Sequence, residues 1–150
     1  MGGMFYEDFE VGRTYRFGRH TMSQEEMIDF ASEFDPQPFH IDPEAAKDSH
    51  FGGLIASGWH TVSTSMRFVI KDFYGDESGF IAGWGIDELR WPVAVRPGDT
   101  LNFWLEVKEA EISERRPDRG RLKLKLAADN QNGDTVVSML STVYFLRRET

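Results

Sequence analysis

The 150-residue sequence contains no cysteine. That excludes a disulfide framework, a zinc–thiolate site and a thiol nucleophile. No apolar run approaches the ~18 residues of a membrane span. The first residues are acidic and aromatic, without a basic stretch leading into an apolar one. Neither a secretory leader nor a membrane segment is expected, and the cytoplasm is the expected compartment. Positive charge is scarce: 17 Lys and Arg stand against 25 Asp and Glu, for a formal net charge of −8. Phosphate contacts need a basic face, so no nucleic-acid partner is expected. No Gly-x-Ser-x-Gly elbow and no phosphate-cradling Gly-rich loop occurs, and no cofactor is implied. His20, His40, His50 and His60 match neither a helical nor a strand face and form no His-x-x-x-His pair, so no metal site is expected.

What is present is ordinary in bulk, with 40% hydrophobic and 28% charged residues. A chain of this length can bury a real core, and residues 1–150 are expected to form one domain. Residues 1–12 read as an irregular lead-in anchored by Phe5, Tyr6 and Phe9, and 13–20 as a strand. Ser23-Gln24-Glu25-Glu26 is a capping box, followed at helical spacing by Met27, Phe30, Ala31 and Phe34. That stripe reads as core, and Pro36 ends the helix. Asp42-Pro43-Glu44 opens a second, short helix. A long helix is expected from about Ala56 to Phe73, with Trp59, Val62, Met66, Val69 and Phe73 on one face and Ile70 widening it. Its polar residues are mostly small, which suits close packing on several sides.

After Gly75 the pattern becomes one of strands, over 80–91, 100–112, 121–128 and 135–146. Turn sequences at 96–99, 116–120 and 130–134 separate them. Gly83-Trp84-Gly85 reads as strand glycine near a bend or close contact. Arg115, Arg116, Arg119 and Arg121 read as a solvated hairpin. Helices first and hairpin-linked strands afterwards give an α+β class with a curved antiparallel sheet around the long helix. Such a sheet leaves edges, for which pairing with a second copy is a common remedy.

The chemistry-bearing segment is Asp35-Pro36-Gln37-Pro38-Phe39-His40. Each proline fixes its own φ and restricts the residue before it, so a carboxylate and an imidazole share a stiff segment. Stiffness of this kind lowers the ordering cost of aiming an acid and a base at one small volume. On residue type alone, Asp35 reads as a cap or turn residue and His40 as a satisfied core or surface histidine.

Motif, order and spacing together favour the catalytic reading. Residues 34–43 resemble the hydratase signature of the MaoC-like (R)-specific enoyl-CoA hydratases, whose usual core is Asp-x-Asn-Pro-x-His. Ile55-Ala56-Ser57-Gly58-Trp59 falls where that family carries its second motif, typically ending in His-Gly before the central helix. Arg96-Pro97-Gly98-Asp99-Thr100-Leu101 looks like its strand-leading turn. The likeness runs in order from Phe9-Glu10-Val11-Gly12 to the last strands. Two positions depart from the pattern: Gln37 replaces the asparagine and Ser57 the histidine. The resemblance implies a single hotdog domain, working as a homodimer or higher oligomer on an acyl-CoA or acyl-carrier-protein thioester. It implies Asp35 as the main base, His40 as the group that positions water and relays the proton, and the Gly58 N–H as oxyanion donor. It places Gln37, Ser57 and Trp59 in the substrate pocket. A hotdog thioesterase and a non-catalytic acyl-binding module are the competing readings.

Overall fold

The computed structural model describes residues 2–149. Strand β1 is Thr14–Thr21, β2 Phe80–Arg90, β3 Thr100–Ile112, β4 Arg119–Asp129 and β5 Thr135–Leu146. They form one antiparallel sheet in the order β1-β3-β4-β5-β2. Tight hairpins place β3, β4 and β5 side by side in the middle, and β1 and β2 become the edges. The period-two pattern of β4 does what it predicts: Leu122, Leu124 and Leu126 are buried, while Arg121, Lys123 and Lys125 alternate with them. Phe103, Leu105, Met139 and Phe145 complete that core face. On the β3–β4 hairpin, Arg119 pairs with Asp118 and Arg121 with Glu111, as expected of a solvated turn.

Helix α1 spans Gln24–Phe34. The Ser23 hydroxyl accepts from the Glu26 N–H and the Glu26 carboxylate from the Ser23 N–H, so the capping box is formed. Met27 and Ala31 are buried, but Phe34 is 65% exposed and does not belong to the core. The two prolines frame a turn that the sequence did not predict, α2, Pro38–Ile41, with Pro38 at its first position. A proline needs no backbone donor there and arrives with φ preset. α3 spans Pro43–Lys47 and is capped by Asp42, which accepts from Glu44 and Ala45 N–H groups.

The long helix begins two residues late, as α4, Gly58–Phe68, and continues as a π-helical segment, Val69–Tyr74. Gly75, at φ +84, ends it. Its apolar face is not the one turned to the sheet. His60, Thr61, Thr64 and Ser65 are buried, whereas Trp59 and Met66 are exposed and Val62 lies between. The reason is local: Thr64 and Ser65 donate their hydroxyls to the carbonyls of His60 and Thr61, one turn back. Satisfied in this way, small polar side chains can face the sheet at close range. The apolar residues of the stripe separate accordingly, with Val69 in the core and Ile70 outside. β2 lies beyond the cover of α4; every residue from Ile81 to Glu88 is exposed. Gly83 and Gly85 flank an irregularity in its pairing with β5, but neither makes a close contact.

Candidate active site

Asp35 is the C-cap of α1, at φ −155 and outside helical geometry, with its N–H donating to Ala31. Pro36 forbids another helical turn, so the carboxylate swings toward α2 and the start of α4. Both its oxygens are engaged. Gln37 Nε2 donates to Oδ1 at 2.7 Å and Ser57 Oγ donates to Oδ2 at 2.7 Å. His40 Nε2 stands 3.3 Å from the same Oδ2. Partial burial acts to raise the Asp35 pKa, but the Ser57 and Gln37 hydrogen bonds, joined by the charge of His40 when that ring is protonated, outweigh it and hold the pKa below the ordinary carboxylate value. The group is ionised at neutral pH.

His40 is buried on α2, and its Nδ1 lies 2.8 Å from the Ile55 carbonyl oxygen. A carbonyl only accepts, so Nδ1 carries the hydrogen. In the neutral imidazole, Nε2 then presents its lone pair to Asp35. Two acceptors facing each other need a hydrogen from a third party. A water able to donate one hydrogen to each satisfies both.

Ser57 is the N-cap residue of α4, but its hydroxyl makes no cap hydrogen bond and serves Asp35 instead. The first amides of α4, at Gly58 and Trp59, have no carbonyl within the helix to receive them. They add to the positive end of the helix dipole. A donor pair for developing negative charge thus sits next to the Asp35/His40 pair. At Gly58 the packing itself calls for glycine. The space that a Cβ would need is taken by the Trp91 indole, 2.4 Å from the ideal Cβ position, and Trp91 Nε1 donates to the Gly58 carbonyl at 3.1 Å.

Asp35, Gln37, His40, Gly58 and Trp59 all line one cavity of about 430 Å³. Ser57 does not; fully buried behind Asp35, it orients the carboxylate. Phe39, Phe51 and Trp91 also wall the cavity and were not singled out from sequence. Trp91 lies 33 residues from Gly58 along the chain, and nothing in either local pattern links the two. No group of three or more His, Cys, Asp or Glu residues able to hold a metal ion occurs among the described residues.

Residues 8–129 match the family model of the MaoC like domain. The Bacillus subtilis (strain 168) protein YdeM is 33% identical over 129 residues, covering 85% of this chain and 89% of YdeM. The crystal structure of the MaoC-like dehydratase from Rhodospirillum rubrum superposes with a TM-score of 0.91 at 41% identity, covering 99% of this chain and 100% of that one. R-hydratase PhaJ1 from Pseudomonas aeruginosa superposes with a TM-score of 0.77 at 25% identity, covering 98% and 88%. The likeness in sequence and in the sheet wrapped round a central helix runs over nearly the whole length, and the chain belongs to the MaoC-like dehydratase family with its hotdog fold.

Proposed function

We propose that the protein adds water to a trans-2-enoyl thioester, or removes it from the 3-hydroxyacyl thioester. The observation that carries this is the Asp35 Oδ2–His40 Nε2 pair, 3.3 Å apart, beside the uncapped start of α4. A water donating to both atoms attacks Cβ. Its proton passes to Asp35, with His40 orienting the water and relaying. The π electrons move toward the thioester oxygen, where the Gly58 N–H receives the charge. The proton then goes to Cα and the carbonyl re-forms. One hydroxyl and one hydrogen have been added and the site is unchanged.

A second cavity, of about 270 Å³, runs between α4 and the sheet and is lined by Met66, Val69, Leu105, Leu124 and Val143. Its apolar wall suits the acyl tail; an apolar cavity of about 150 Å³ holds one benzene. The carrier is coenzyme A or an acyl carrier protein. Gly83, Trp84, Gly85 and Ile86 of edge strand β2 form the outer wall. Trp84 is 79% exposed there, and the strand's free edge can pair with its own copy about a two-fold axis. We therefore propose a homodimer joined along β2.

The test is hydration of a panel of enoyl-CoAs, short, branched and polar, followed by loss of the conjugated absorbance. Wild type should turn over at least one. Asp35→Asn should lose about 10²–10⁴-fold in rate while keeping its fold, because the side chain is not part of the core. Release of free thiol with no change in the enoyl absorbance would replace this reading with a thioesterase. Tight acyl-CoA binding without chemistry would replace it with a binding module.

A further inference from the structure

Beneath the first turn of α4 lies a polar cluster that the proposed reaction does not use. His60, the third residue of α4, is buried, with its ring stacked on Phe30 at a centroid distance of 4.8 Å and an angle of 10°. Its Nε2 lies 3.7 Å from Glu26 Oε1, and its Nδ1 has no hydrogen-bond partner. The same Glu26 oxygen is held at 2.7 Å by His20 Nε2 from β1. Glu26 also closes the capping box of α1. One carboxylate therefore bonds α1 to β1 and faces the start of α4 at longer range. A buried imidazole with one orphaned nitrogen is a costly way to fill space and calls for a reason.

We infer that His60 is a positioning residue for the first turn of α4, holding the Gly58 and Trp59 amides in register with Asp35 through the carboxylate it shares with His20. The connection is short. The His60 N–H donates to the Ser57 carbonyl, and Ser57 in turn donates its hydroxyl to Asp35. Glu26 can pair closely with one imidazole at a time, and it is closer to His20. His60 is left neutral, braced by Phe30 and facing Glu26 at longer range. Burial lowers its pKa most, Glu26 raises it and His20 lowers it. No other charged group acts on it among the described residues. β4 and β5, which also pack against α4, turn Leu124, Leu126 and Met139 toward the core. A proton gained by His60 would set it competing with His20 for Glu26 and shift the turn that carries the two amides.

The decisive measurement needs no turnover. The His60 ring and the Gly58 and Trp59 amides are followed by NMR across an acid-to-neutral titration of the intact protein. The amide shifts should move with one midpoint, on the acid side of an ordinary histidine. Glu26→Gln should lower that midpoint and His20→Gln should raise it. Amides that stay flat, whether or not the ring titrates, overturn the inference; so does a midpoint unmoved by Glu26→Gln. In the hydratase assay, on which this part rests, His60→Leu should lose roughly ten- to a hundredfold in kcat with KM nearly unchanged. His60→Gln, which keeps a neutral donor toward Glu26, should recover part of the loss. Equal loss in both variants would mark a merely structural role and overturn the inference. A protein inactive on every enoyl-CoA yet showing the coupled titration would sink the hydratase reading and leave this one standing.

Discussion

At the amino end of α4, polar atoms are held from several sides: Gln37 and Ser57 each donate to Asp35 at 2.7 Å, and Ile55 fixes the His40 ring at 2.8 Å. Along the outer flank of the same helix, Met66 is exposed beside Trp84 and Ile86, and no described residue covers them. The first region is finished within one chain. Its geometry is set by prolines, short hydrogen bonds and Trp91 packed on Gly58. The second is an apolar surface around an open strand edge, which water covers poorly. The proposed proton transfer and the proposed assembly thus lie at different parts of one helix, and substitutions can address them separately.

Breaking the flank should have the largest effect. Burying a Trp contributes roughly 2 kcal/mol of transfer energy, and a two-fold interface counts it twice. Trp84→Arg should therefore weaken self-association by on the order of a thousandfold. Sedimentation velocity across a concentration series reads this directly. Trp84 also walls the proposed acyl cavity, whereas the Asp35 network lies in another, so the part of the activity loss that comes from dissociation should return as protein concentration is raised and the remainder should appear in KM. A variant that sediments exactly as wild type does at every concentration would place the interface elsewhere.

Breaking the amino end should cost less in association and more in turnover. A Cβ at Gly58 would overlap the Trp91 ring, at 2.4 Å from Cε2. Either the helix start or the indole must move. In Gly58→Ala, kcat should fall about a hundredfold, the usual penalty for a 1 Å misplacement near reacting atoms. The sedimentation profile should stay unchanged. Trp91→Ala in the same background makes room for the new methyl and should recover part of the loss. If it does not, the indole is not what makes glycine necessary.

These two regions were not equally readable in the sequence. Strands β3 to β5 followed from period-two alternation and turn residues, because hairpin pairing is local and one face is buried. The Asp35–His40 segment was visible because prolines restrict the backbone whatever the tertiary context. The orientation of α4 was not readable. Apolar spacing put Trp59 and Met66 on one face without saying where that face points, and a Ser or Thr that bonds its own helix can be buried as readily as an aliphatic residue. The exposed flank that resulted was invisible for the same reason. Phe34 was misassigned because a helix's last turn can overhang the core while keeping helical spacing. Trp91 and the Ile55 carbonyl could not be found, since each acts on a partner distant in sequence through a contact only the fold creates.

The smallest effect should sharpen the comparison most, because it tests a single hydrogen bond. Ser57→Ala removes the donor to Asp35 Oδ2 and leaves the buried volume nearly filled. A hydrogen bond to a charged group contributes about 1.5–3 kcal/mol, and with Gln37 still donating to Asp35 the lower end applies, so turnover near the optimum should drop about tenfold. The pH profile carries the sharper test. Burial raises the Asp35 pKa, and Ser57, Gln37 and His40 together lower it below the ordinary value. Without Ser57 the raising influence is less opposed, so the acid limb of kcat/KM should move to higher pH. Stability should follow the same sign. A carboxylate whose folded pKa is depressed contributes stability above its unfolded pKa and loses it as pH falls through the folded one. In Ser57→Ala the folded value lies nearer the unfolded one, so less stability is present at neutral pH and its loss on acidification is complete at a higher pH. Gln37→Leu should shift the limb in the same direction, from the other oxygen. An acid limb that stays fixed in both variants would mean that Asp35 is not the group titrating there, and the proton-accepting role would pass to His40.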